Sequence, residues 1–366
     1  MPRHPNRQAN PRTPAPKSKP PIRIYACEAD VLEGLETIAI EELEQKLKRN
    51  VNNIKATGGG RLRFRYGGDL RALLGLRSIQ AVYLVNYFAI PRPKALLGHQ
   101  HLTTLLQQIA LVRSLFPAET FQSLRISAAG EDSATMTRLR GELAQQTGLA
   151  DAEEADLLLR LRRSSDGTGW EVLTRISPRP LATRAWRVCN RPGAPNATLA
   201  HAMMRLSQPN ADDRVLNLAC GSGTLLVERL ALAPTRSAIG CDIDASALDC
   251  ARQNLRAAGF GGRVRLEQWD ATQVPLADAS ATMICADLPF GQLSGSHDTN
   301  LTLYPRIFAE ASRLAAPQAR MVLLTHEVRL LEQVAQQYAQ AWTVEQVVRV
   351  RSSGMTPRVF VLRRLG

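Results

Sequence analysis

Three acidic residues stand at the ends of apolar, strand-like segments in the C-terminal half of the chain: Asp242 after SAIGC, Asp270 after RVRLEQW and Asp287 after ATMICA. Ahead of them RVLNLA runs into CGSGTLLVE, which sets Gly221 and Gly223 in a turn before a helix. Glycine lets the main chain approach a ligand without a Cβ, and the free N–H groups of a helix start favour a carboxylate or phosphate. Asp242 follows Gly221 by 21 residues, a separation at which an acidic side chain accepts both hydroxyls of a ribose. Asp270 is placed to receive the amino group of an adenine. These features describe an adenosine-type ligand. Asp287-Leu288-Pro289-Phe290-Gly291 is more specific, because an acceptor, a proline-shaped backbone and an aromatic ring emerge together one strand beyond those contacts. A tight turn capped by aspartate is the ordinary use of such a segment; its position favours a chemical one.

Other chemistries lose support. Thr224, Leu225 and Leu226 follow Gly223, so the GxGxxG fingerprint of NAD binding is missing, as is the GxxxxGK[ST] of an ATP-binding loop. The six cysteines (Cys27, Cys189, Cys220, Cys241, Cys250, Cys285) form no CxxC pair and are expected to be buried thiols rather than metal ligands. His201, His297 and His326 have no partner pattern, and no metal is expected. Of the 46 cationic residues 40 are arginine, the side chain whose planar fork grips phosphate, although a GC-rich genome produces the same bias. Residues 1–198 carry a balance of +11 and 199–366 only +2, which points to a polyanion held by the upstream half. No run of roughly 18 apolar residues occurs, which excludes a membrane-spanning helix. The start lacks the apolar block of a secretory signal, so the cytoplasm is the expected location.

Residues 1–21 contain seven prolines and are expected to form a disordered basic tail. From 22 to 95 the order is β-α-β-β-α-β, the split βαβ arrangement of a ferredoxin-like unit, with Asp30 expected to cap the first helix. Residues 96–178 read as a second α/β unit, and 179–198, rich in proline and arginine, as an irregular linker. Thr198 is expected to cap the helix that opens the last domain, 199–366. There strands and helices alternate as in a parallel sheet with helices on both faces, and VEQVVRVR and RVFVLRR close it as an antiparallel pair. The polar SGSHDTN stretch (294–300) is expected to be flexible and able to close over a substrate.

In their order and spacing NLACGSGT, CDID, WDA and DLPFG resemble motifs I to IV of class I S-adenosylmethionine-dependent methyltransferases that modify exocyclic amines. With the upstream units included, residues 22–366 resemble the RNA guanine-N2-methyltransferases that join a ferredoxin-like unit and a THUMP domain to a Rossmann-like catalytic domain; DLPFG is most like the tRNA guanosine-6 type. Leu288 departs from the proline usual at that position. The resemblance implies a seven-stranded C-terminal sheet with antiparallel end strands, S-adenosylmethionine as cofactor, and tRNA as partner of a monomer. It assigns the cofactor to Ala219, Gly221, Gly223, Thr224, Asp242, Ile243, Asp270, Ala271 and Asp287, and catalysis to Asp287, Leu288, Pro289 and Phe290. Guanine N2 is a poor nucleophile, since its lone pair is delocalised into the ring. The Asp287 carboxylate and Leu288 carbonyl would each hold one amine hydrogen, with Phe290 stacked on the extracted base. Candidate phosphate contacts are Arg138 and Arg140 in the THUMP-like helix and Arg184, Arg187 and Arg191 in the linker. Guanosine 10 of tRNA, large-subunit ribosomal RNA and a non-catalytic RNA-binding role are the rival readings.

Overall fold

In the computed structural model, which describes residues 23–289, 297–352 and 354–365, the strands fall into two sheets. The first contains β1 (Tyr25–Asp30), β2 (Val51–Ala56), β3 (Arg61–Tyr66), β4 (Ala81–Phe88), β5 (Ser123–Ala128), β6 (Ala150–Asp151), β7 (Leu157–Arg163) and β8 (Trp170–Arg175), in the order β2-β3-β1-β4-β8-β7-β5-β6. Strict alternation builds it: Leu62, Phe64 and Tyr66 of β3 are buried while Arg61, Arg63 and Arg65 face the other way. The two stretches 22–95 and 96–178 share this one sheet. β4 pairs antiparallel with β8 from Tyr83 opposite Arg175 to Phe88 opposite Trp170, which covers an edge that would otherwise stand open. Ion pairs cross the joint. Arg63 donates through Nε to Glu28 on β1 at 2.9 Å and through Nη1 to Glu171 on β8 at 2.7 Å, and Arg162 reaches both carboxylates.

Helices α1 (Glu36–Leu47), α2 (His99–Arg113) and α3 (Ala134–Thr147) accompany this sheet. Asp30 does not cap α1, which begins at Glu36; it closes β1, where its Oδ2 accepts from Arg160 Nη1 at 2.7 Å and from the Tyr83 hydroxyl at 3.2 Å. The second helix of the expected split unit is a 3-10 helix, Leu70–Gly75, capped by Asp69.

The second sheet contains β9 (Arg214–Asn217), β10 (Ser237–Cys241), β11 (Arg265–Glu267), β12 (Ala281–Asp287), β13 (Ala315–Thr325), β14 (Trp342–Arg349) and β15 (Arg358–Arg364), ordered β11-β10-β9-β12-β13-β15-β14. The first five are parallel and the last two antiparallel, as the resemblance implied. Helices α4 (Ala197–Leu206), α5 (Thr224–Leu232), α6 (Ala245–Ala257), α7 (His297–Leu314) and α8 (Val328–Gln337) flank it. Asn196, not Thr198, caps α4: its side chain accepts from Thr198 N at 2.8 Å. α8 was absent from the sequence reading, although Leu330, Leu331, Val334 and Ala335 form a buried stripe on it. Strand order reverses at β9, between β10 and β12, which opens a crevice at the C-terminal ends of those strands. One apolar cluster runs from Leu43 and Leu73 beside the first sheet to Met203 and Leu226 beside the second, so the two halves share a core. Among the described residues no helix is long and apolar enough to cross a membrane.

Candidate active site

A cavity of about 380 Å³ opens in that crevice. Ala219, Gly221, Thr224, Asp242, Ile243, Asp270, Ala271 and Asp287 line it, with Leu288 and Pro289 at the far wall. The turn after β9 takes its shape from left-handed backbone at Ala219 (φ 46°), Gly221 (φ 53°) and Gly223 (φ 76°). Such a φ is uncommon for a residue with a side chain, and at Ala219 it falls where the chain meets the cavity. Gly223 lies behind the lining; a Cβ there would sit 3.1 Å from Ala251 Cβ, so glycine lets α5 start close against α6. Asp242 ties two strand ends together, since its Oδ2 accepts from Gly221 N at 2.8 Å and its Oδ1 from Asp244 N at 3.0 Å. Each oxygen has a further lone pair for a diol. Ile243 is 69% exposed at the mouth, an apolar face open to a flat ring. Asp270 Oδ1 accepts from Thr272 N and Oγ1, both at 2.8 Å, and the Thr272 N–H holds its carboxyl below the usual range. This donor and acceptor set fits S-adenosylmethionine.

The turn after β12 carries the reactive groups. Asp287 Oδ1 is buried with no hydrogen-bond partner among the described residues, and burial pushes the carboxyl up to about 7. Leu288 N donates to Leu324 O at 2.9 Å, which extends the β12–β13 ladder by one bond. Pro289 O is doubly engaged: Asn300 Nδ2 donates to it at 3.0 Å and the Tyr304 hydroxyl at 2.8 Å. Tyr304 also meets Thr325 Oγ1 at 2.9 Å, and both Asn300 and Tyr304 are buried on α7. No donor among the described residues takes Leu288 O. Sequence reasoning missed Asn300 and Tyr304. It read 294–300 as flexible, whereas His297–Asn300 begin α7; residues 290–296, Phe290 included, lie outside the described residues.

Among the linker arginines, Arg184 needs correction. Arg184 is buried and spent inside the protein, donating to Glu228 Oε1 at 3.0 Å and Arg77 O at 2.7 Å, so it contacts no RNA phosphate. Arg187 donates to Pro195 O at 2.9 Å and Thr224 Oγ1 at 3.1 Å, and Arg191 donates to Ser246 Oγ at 2.7 Å and to Asp244. These bonds fold residues 191–195 into one wall of the cavity. Asn254 fastens that wall from α6, accepting from Cys189 N at 2.9 Å and donating to Cys189 O at 2.9 Å and Ser222 O at 3.0 Å. Cys189 and Cys250 are disulfide-bonded rather than free thiols, with Cα atoms 5.4 Å apart; the other four cysteines are buried thiols. On α3, Arg140 donates to Asp151 at 3.1 Å and Glu131 O at 2.8 Å, while Arg138 is exposed. The histidines are not without partners either: His201 is buried against Glu228, and His297 meets Glu327 at 3.0 Å.

Residues 184–358 match the model of the RMKL-like methyltransferase domain family. Fold and site together define an S-adenosylmethionine-dependent methyltransferase of class I. Within that class the chain is similar to tRNA (guanine6-N2)-methyltransferases. It is 27% identical to the Thermus thermophilus enzyme of that name over 92% of this chain and 99% of the relative. The crystal structure of TrmN from Thermus thermophilus superposes with a TM-score of 0.71 at 25% identity, covering 94% of this chain and all of that one. The mouse tRNA (guanine(6)-N(2))-methyltransferase THUMP3 is 29% identical over 46% of this chain, a match that spans 36% of the mouse protein.

Proposed function

We propose that this chain transfers a methyl group from S-adenosylmethionine to the exocyclic N2 of a guanosine in tRNA, with position 6 of the acceptor stem as the target. The observation that carries the reading is the pair of acceptors at the cavity wall: Asp287 Oδ1 and the Leu288 carbonyl, neither of which is taken by a donor among the described residues. When bound, the cofactor supplies an electrophilic methyl on a sulfonium. Asp287 and Leu288 O each hold one amine hydrogen, so the nitrogen presents its lone pair as it rehybridises and the charge growing on it is stabilised. Asn300 and Tyr304 occupy the neighbouring Pro289 carbonyl and keep the turn aimed. A carboxyl near 7 is a base matched to neutral pH, so Asp287 takes the proton that the methylated amine sheds.

A guanine paired in a stem cannot present N2 to the cavity, so the base is flipped at a cost of a few kcal/mol. Residues 22–95 and 96–178, as ferredoxin-like and THUMP domains joined by the 179–198 linker to the catalytic domain 199–366, offset that cost by holding the tRNA backbone. The upstream excess of +11 supports this in part, since +2 of it lies in residues 22–178, +4 in the linker and +5 in residues 1–21, and Arg138 is a contact to its phosphates. The protein acts as a monomer in the cytoplasm. Incubation with labelled S-adenosylmethionine and purified tRNA, then nucleoside mass spectrometry and mapping, tests the proposal. N2-methylguanosine at position 6 is expected; no methylguanosine rejects the reading, and label only in position 10 or in naked ribosomal RNA moves the target.

A further inference from the structure

Beneath the cavity lies a buried polar cluster that the methyl transfer does not use. Glu228 sits on α5, one turn beyond Thr224, and is fully buried. Arg77, from the loop before β4, grips it with a fork: Nε donates to Oε2 at 2.8 Å and Nη2 to Oε1 at 2.9 Å. Arg184 of the linker donates to the same Oε1 and to the Arg77 carbonyl, and His201 Nδ1 of α4 lies 3.0 Å from Oε2. On the far side of His201, Glu42 of α1 is also fully buried; it accepts from Arg77 N at 3.0 Å and Ser78 N at 2.6 Å and pairs with Lys46 at 2.8 Å. The loop before β4, the linker, α4 and the helix that follows the cofactor turn therefore meet at one carboxylate, and α1 is joined to them through Glu42. Burial opposes its charge, yet the His201 hydrogen bond and the Arg184 and Arg77 guanidiniums hold the Glu228 carboxyl down to about 2.

A bidentate guanidinium–carboxylate pair fixes angle as well as distance, and here it joins the half that carries the charge excess to the half that carries the cavity. We infer that Glu228 is a positioning residue: with Arg77, Arg184 and His201 it sets the angle between the RNA-holding half and the methyl-transfer cavity, and so determines which guanosine reaches Asp287. The inference rests on the proposed tRNA methylation. Glu228 is not among the cavity-lining residues, so its effect falls on selection of the nucleotide rather than on the methyl transfer itself.

The test compares the full-length chain with Glu228→Gln and with Arg77→Lys, which keeps the charge and loses the fork. Calorimetry with S-adenosylhomocysteine reports the cavity, and mapping of methylated nucleotides in tRNA under steady-state turnover reports the angle. Both variants are expected to bind S-adenosylhomocysteine within about threefold of the native chain. Their KM for tRNA is expected to rise roughly tenfold or more, with methyl groups spread to neighbouring guanosines, the effect of Arg77→Lys being the smaller. A merely structural role would lower yield and leave the map unchanged. If Glu228→Gln fails to fold, Arg77→Lys decides alone. A single methylated position with native KM in the folded variants overturns the inference while tRNA methylation stands; a native chain that methylates no guanosine in tRNA overturns both.

Discussion

At the scale of single residues, Asp287 has a direct pH consequence. Its carboxyl is pushed up to about 7, so acid protonates the group that accepts the amine hydrogen, and kcat/KM is expected to rise with pH through about 7 and level off above it. A pH–rate profile checks this, and in Asp287→Asn the rise disappears along with most of the rate. Stability runs the other way. An unfolded aspartate ionises near 3.9, so between about 4 and 7 the native state holds a proton that the unfolded chain has released, and Asp287 destabilises the fold as pH rises across that window. Asp287→Asn therefore melts above the native chain at pH 8, by a margin that narrows at pH 5. Tyr304→Phe removes one of two donors from Pro289 O; kcat is expected to fall about tenfold, a loss of about 1.4 kcal/mol, with unchanged S-adenosylhomocysteine affinity. Gly221, Asp242, Asp270 and Asp287 were legible in the sequence because each stands at a strand end or in the turn after it, at a motif spacing. Asn300 and Tyr304 were not, since in SGSHDTNLTLY they look like polar surface and only the fold brings them to Pro289.

At the scale of elements, alternation and apolar periodicity identified the main strands and most helices, whereas caps and the linker depended on tertiary partners. Asp30 has the residue type of a helix cap but is claimed by Arg160 and Tyr83, and α1 starts six residues later. The linker read as a phosphate-binding strip because its arginines carry no local partners; in the fold Arg184 turns inward to Glu228, while Arg187 and Arg191 bond to Thr224, Ser246 and Asp244. Asn254 is the bolt of this arrangement. Asn254→Ala leaves the part-buried Cys189 N and O and the buried Ser222 O without their side-chain partner, and a buried group so orphaned costs about 1–3 kcal/mol. Loosening of the 191–195 wall is expected to weaken S-adenosylhomocysteine binding at least tenfold by calorimetry, with the far-ultraviolet circular dichroism unchanged.

At the scale of the whole molecule, two α/β halves share an apolar core and a buried charged cluster, and no sequence pattern announces either. His201 and Glu228 lie 27 residues apart and Arg77 lies 151 from Glu228, with no sequence pattern to join them. Because the Glu228 carboxyl is held down to about 2, against about 4.3 for an unfolded glutamate, its stabilisation is fully present above that value and is lost as pH falls towards 2. Urea unfolding at pH 7 and pH 3 is expected to show that loss, diminished in Glu228→Gln. If the upstream half holds tRNA as proposed, binding weakens linearly in log Kd against log salt. The most direct test of the central claim, that the Asp287 turn presents an exocyclic amine to the methyl group, is single-turnover transfer from labelled S-adenosylmethionine to tRNA by the native chain and Asp287→Asn. The account predicts N2-methylguanosine from the native chain and a rate at least a hundredfold lower from the variant at saturating cofactor; transfer by Asp287→Asn at the native rate would contradict it.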